Sequence, residues 1–79
     1  MIRVLLFGPV AERAGIRALQ AEFRQGMSLQ SLQDELTVQY PQAFAMVCFS
    51  AVNGEQVRDK LYPLADNSEV AFMAKFSGG

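Results

Sequence analysis

Two segments, one at each end of the chain, are apolar on both faces of a strand. Ile2, Val4 and Leu6 alternate with Arg3, Leu5 and Phe7, and Val70, Phe72 and Ala74 alternate with Ala71, Met73 and Lys75. A strand of that kind belongs in the middle of a sheet, where both faces are covered or used. With 79 residues there is material for one small core, so both segments must share one sheet. Lying side by side, such strands run parallel and need a long crossover between them.

The crossover contains one strong helix signal. Ser28 is placed as an N-cap, and Leu29, Leu32, Leu36 and Tyr40 follow at spacings of 3, 4 and 4. Gln30, Gln33, Asp34 and Thr37 take the other side, and Pro41 closes the helix. Between the first strand and this helix, Pro9 ends the strand, Val10–Ala14 forms one or two helical turns, and Gly15 stops them. Residues 16–24 read as a weaker strand through Leu19, Ala21 and Phe23. After Pro41, residues 43–47 fit either a second helical turn or the start of a strand. A strand over 47–52 is expected to set Val47, Phe49 and Ala51 against Cys48, Ser50 and Val52. Asn53-Gly54 marks a tight turn, residues 58–64 a loop, and residues 65–68 a second turn. The order of elements fits an α+β fold, a mixed sheet packed on one main helix, of which the β-grasp (ubiquitin-like) arrangement is one solution. The expected division is a domain over residues 1–76 and a flexible Gly-Gly tail over residues 77–79.

Composition narrows the function more by exclusion than by assertion. The chain is 51% hydrophobic and 19% charged, with a formal net charge of −1, which fits a folded globule and offers no electrostatic footprint for nucleic acid or an anionic membrane. No run approaches the ~20 apolar residues of a bilayer span, and the short apolar N-terminus is not followed by a cleavage site. A cytoplasmic location is expected. There is no histidine and one cysteine, which removes His-dependent nucleophile activation and leaves no basis for a metal site or an internal disulfide. Cys48, in an apolar strand, is expected to be an inert, buried or half-buried thiol. Asp34 and Glu35 are adjacent on a helix, so they point apart and make no acid–base pair. Glu12/Arg13 and Arg58/Asp59/Lys60 read as solvated surface. A self-contained enzyme is not expected.

What remains is the end of the chain, Ser77-Gly78-Gly79. Two glycines at a terminus arise by chance at roughly 0.5%, and a glycine tip presents a carboxylate with no Cβ to keep it out of a narrow cleft. Phe7, Met73 and Phe76 are candidate partner-facing residues near the same end of the sheet, with core filling as the alternative for Phe7.

Four segments resemble one family along nearly the whole chain. These are Ile2-Arg3-Val4-Leu5-Leu6-Phe7 with Val10, Glu12 and Gly15; Ala51-Val52-Asn53 with Val57; Pro63-Leu64 with Asp66 and Glu69-Val70-Ala71-Phe72; and Ser77-Gly78-Gly79. Together they resemble the small sulfur-carrier subunits of molybdopterin synthases, which are ubiquitin-like. The resemblance implies that Gly79 is adenylated by an ATP-consuming, ubiquitin-activating-like adenylyltransferase and converted to a thiocarboxylate. It further implies that Gly78 threads the tail into the synthase large subunit, where sulfur passes to cyclic pyranopterin phosphate. It implies a heterotetramer, no stably bound cofactor, and ATP only as the activating enzyme's substrate. Two departures stand out. Ala74-Lys75 occupies positions where the family has two prolines, which implies a less rigid base for the tail, and Asn67-Ser68 replaces a Gly-Asp turn. Other readings of the same tail are a protein modifier joined through Gly79 to lysines, a sulfur carrier of another pathway such as thiamine, and a plain interaction module.

Overall fold

The computed structural model describes residues 1–75. In chain order the elements are β1 (Ile2–Leu6), α1 (Gly8–Ala14), β2 (Ala18–Ala21), α2 (Leu29–Gln39), α3 (Pro41–Phe44), β3 (Val47–Val52), β4 (Glu55–Gln56) and β5 (Glu69–Ala74). The strands form one mixed sheet in the order β2-β1-β5-β3-β4. The two strands that are apolar on both faces are neighbours, as expected: β1 and β5 run parallel, with Val4 beside Val70 and Leu6 beside Phe72. Antiparallel partners flank them, β2 on β1 and β3 on β5.

One face of the sheet is closed by the helices. Leu29, Leu32 and Leu36 are buried in the same cluster as Ile2, Val4, Leu6, Val70 and Phe72, as their helical spacing requires. Ser28 begins α2 through a reciprocal pair with Ser31: the Ser31 amide donates to the Ser28 Oγ at 3.1 Å and the Ser28 amide to the Ser31 Oγ at 2.8 Å. Pro41 does end α2, and it also occupies the first turn of α3, where a missing N–H costs nothing. The ambiguous stretch after it is therefore helical, and it brings Phe44 edge-on to Phe72 with ring centroids 4.9 Å apart. Gly15 stops α1 with φ +78°, a left-handed value natural to glycine.

The sequence expectation fails on β3. Val47 lies opposite Ala74 and Phe49 opposite Met73, leaving Cys48 as an extra, bulged residue. A bulge breaks the two-residue alternation, so Val47 packs partly against the core while Phe49 and Ala51 turn to the other face. Cys48 is accordingly exposed, not buried or half-buried. Beyond the bulge, Ser50 faces the core at 2% exposure, and its hydroxyl has no hydrogen-bond partner among the described residues. An unpaired buried hydroxyl costs roughly 1–3 kcal/mol. Ser50→Ala is therefore expected to raise the urea midpoint, with a gain of about 1 kcal/mol; a loss of that size would show that the hydroxyl is satisfied after all.

Both turns do more than reverse the chain. Asn53 (φ +51°) and Gly54 make the tight turn, and the Asn53 side-chain oxygen also accepts the Glu69 N–H at 2.9 Å, tying β3 to β5. Asn67 takes φ +67°, a conformation that asparagine tolerates, and Ser68 closes its turn by donating to the Ala65 carbonyl at 2.6 Å. Asn67-Ser68 thus supplies a complete turn without a glycine. Beside it, the Met1 ammonium donates to Asp66 at 2.6 Å, and this hydrogen bond, with the ammonium charge and the Asn67 N–H, holds the Asp66 carboxyl below its ordinary value. A depressed carboxyl stabilises the fold above its unfolded pKa and loses that contribution as pH falls through the folded value. Asp66→Asn is thus expected to lower stability at neutral pH and to converge with the parent in strong acid; a constant offset across a pH series of urea melts would contradict this.

Candidate functional site

The site begins with the half of β5 that the core does not use. Val70, Phe72 and Ala74 point into the core, so Glu69, Ala71 and Met73 must point to the opposite, outer face. Registration extends that face sideways. Leu5 lies beside Ala71 and Ala18 beside Leu5, while Phe49 lies beside Met73 and Ala51 beside Ala71. Phe7 continues the alternation of β1 in extended backbone, its amide donating to the Phe72 carbonyl at 3.3 Å. Leu5, Phe7, Ala18, Phe49, Ala51, Ala71 and Met73 are all absent from the buried core and from the side chains packed against it. Phe7 is 46% exposed and Phe49 40%.

This outer face is graded along the strands. At the end where β5 begins it is polar, with Gln20 beside Arg3 and an Arg3–Glu69 ion pair at 3.2 Å. At the end where β5 finishes it is apolar, around Phe7, Phe49 and Met73. Because β1 and β5 are parallel, Ala74 and the exposed Lys75 leave the sheet beside Phe7. The chain therefore departs toward its last residues from the apolar end. A contiguous apolar surface of this kind on a small domain marks an interaction site.

Next to Phe7 lies a groove of about 740 Å³ between α1 and the ends of β1 and β2. Leu5, Phe7, Ala11, Ile16 and Ala18 give it apolar walls, and Glu12 and Arg17 line it too. Glu12 and Arg17 take part in none of the ion pairs among the described residues. The perturbed charges lie elsewhere: Arg24, bound to Glu35 at 2.7 Å, braces the segment before α2, and Asp66 clasps the N-terminus. Among the described residues there is no group of three side chains able to hold a metal ion, and no helix is long and apolar enough to cross a membrane.

Of the residues singled out from sequence, the structure brings Phe7 and Met73 onto one face. Phe76, Gly78 and Gly79 lie outside the described residues. Sequence reasoning missed Leu5, Ala71, Phe49 and Ala51 as members of the same surface. Leu5 and Ala71 carried a signal, as the second apolar faces of β1 and β5. Phe49 carried none, because the bulge that turns it outward has no sequence mark of its own.

A five-stranded mixed sheet with a parallel central pair, one face on a long helix and the other open, defines a β-grasp domain. The sequence matches the ThiS family model over residues 4–79, and the chain belongs to the ThiS family. Among solved structures it is similar to SAMP1 from Haloferax volcanii, at 22% identity and a TM-score of 0.84, covering 99% of this chain and 98% of that one. It is similar to a putative molybdopterin converting factor subunit 1 from Pyrococcus furiosus, at 20% identity and a TM-score of 0.82, covering 95% and 97%. It is also similar to a chain in a protein–protein complex of subunits 1 and 2 of the molybdopterin-converting factor from Helicobacter pylori, at 22% identity and a TM-score of 0.73, covering 99% and 97%. No curated protein sequence gives a significant match.

Proposed function

We propose that this chain is a sulfur carrier that works through the carboxylate of Gly79 and donates sulfur in molybdopterin synthesis. The observation that carries the reading is the family match, which runs through residue 79 and so takes in the terminal Gly78-Gly79. The geometry supports it, since β5 delivers the chain from an apolar, uncovered sheet face suited to a protein partner. In this reading the Gly79 carboxylate attacks the α-phosphate of ATP in an activating enzyme and pyrophosphate leaves. Sulfide-level sulfur then displaces AMP from the acyl carbon, leaving a thiocarboxylate. The chain is a cosubstrate, and the partners supply the catalytic groups that it lacks.

The proposed acceptor of the loaded chain is the large subunit of a molybdopterin synthase, which converts cyclic pyranopterin phosphate to a dithiolene. This is supported by the likeness to a chain that is seen with subunit 2 of the molybdopterin-converting factor. The test uses thiocarboxylated chain, purified large subunit from the same host and cyclic pyranopterin phosphate. Dithiolene formation with return of Gly79 to a carboxylate is expected. A thiocarboxylate that survives the incubation would overturn the molybdopterin assignment and leave the carrier reading to another pathway, such as thiamine. A second reading, a protein modifier joined by an isopeptide bond through Gly79, is favoured by the likeness to the small archaeal modifier protein SAMP1. It shares the acyl-adenylate and differs only in the nucleophile.

A further inference from the structure

The outer face is shallow except at the groove beside α1, and that groove is not needed to hold the fold together. Its apolar walls include Leu5, Phe7 and Ala18, which also belong to the outer face, so a protein docked there covers the mouth of the groove. At about 740 Å³ it has room for the largest side chains. On its α1 side Ala11 is followed by Glu12, and the approach to β2 supplies Arg17. Two charges of opposite sign thus stand at an apolar groove, both exposed and neither in an ion pair among the described residues. A simple anion or cation would meet repulsion from one of them. An apolar side chain with a basic and an acidic neighbour satisfies both.

The geometry points to this groove as the seat of one large aliphatic or aromatic side chain of the docked synthase large subunit, with a partner cation paired to Glu12 and a partner anion to Arg17. The inference rests on the docking reading above and deepens it. Buried anchors of this type, ringed by polar contacts that exclude water, dominate the affinity of protein interfaces. The flanking charges fix which way round the partner sits and reject a surface of single sign.

The test measures the affinity of the full-length chain for the purified large subunit by titration calorimetry. Ala18→Trp fills the groove, and Glu12→Arg with Arg17→Glu reverses both charges. Met73→Arg serves as the comparison, on the outer face away from the groove. Thermal melts check that each exposed substitution leaves the fold intact. Ala18→Trp and the double reversal are each expected to weaken binding about tenfold or more, and the reversal is expected to do so most at low salt. If Met73→Arg weakens binding while the double reversal leaves it unchanged, the groove is not an anchor site and the docking reading survives. If none of the three weakens binding, docking through this face is itself wrong.

Discussion

Phe72→Ala is expected to leave the chain largely unfolded under conditions where the parent is folded. Phe72 is fully buried at the centre of the sheet, between Leu6 on β1 and Ser50 on β3, and it meets Phe44 edge-on. Removing a buried phenyl ring costs about 3–5 kcal/mol through lost transfer energy and the cavity left behind. A domain of this size has roughly 4–12 kcal/mol in total. The loss therefore takes a third of the stability at best and most of it at worst. Urea unfolding followed by far-UV circular dichroism measures it, and a midpoint close to the parent's would show that the helices do not rest on this residue. The consequence reaches function too, because β5 carries Met73 on its other face.

Deleting Gly79 is expected to do the reverse, abolishing sulfur loading while leaving thermal unfolding unchanged. The described core is complete by Ala74, so the last residue has no packing role in it. Deletion moves the terminal carboxylate back by one residue, about 3.5 Å along an extended chain. Displacements of about 1 Å already cost on the order of a hundredfold when reacting atoms must be aligned. The activating enzyme's ATP–pyrophosphate exchange measures the effect. A drop in melting temperature of several degrees would mean that the tail is part of the fold, and near-normal exchange would mean that Gly79 is not the acylated residue.

The same segment, β5, shows how far sequence alone reaches. Its two apolar faces, with those of β1, point to a central parallel pair, because each residue type states its need for cover directly. The spacing of Leu29, Leu32 and Leu36 identifies the helix that covers one face for the same reason. Phe7 is undecidable from pattern, since a strand apolar on both faces does not say which face the helix takes. Cys48 is misplaced because a bulge is a property of pairing between strands, and the alternation within one strand does not record it. Half of the outer face, Phe49 and Ala51, depends on that bulge. Asn53 reads as a turn residue, and its second role, accepting the Glu69 N–H, requires β5 to lie beside it. The reactive tip is legible only as a terminal Gly-Gly joined to a family resemblance, since no cluster of side chains announces it.

The intact mass of the chain after incubation with its own activating enzyme, ATP and a sulfur donor tests the central claim most directly. The account predicts a mass gain equal to the exchange of one oxygen for sulfur, located at Gly79 by fragmentation and lost on hydrolysis. Isopeptide conjugates through Gly79 would instead establish the modifier. An unchanged mass, with an activating enzyme shown to be competent on another carrier, would contradict both and leave the open sheet face as a binding surface without a reactive tail.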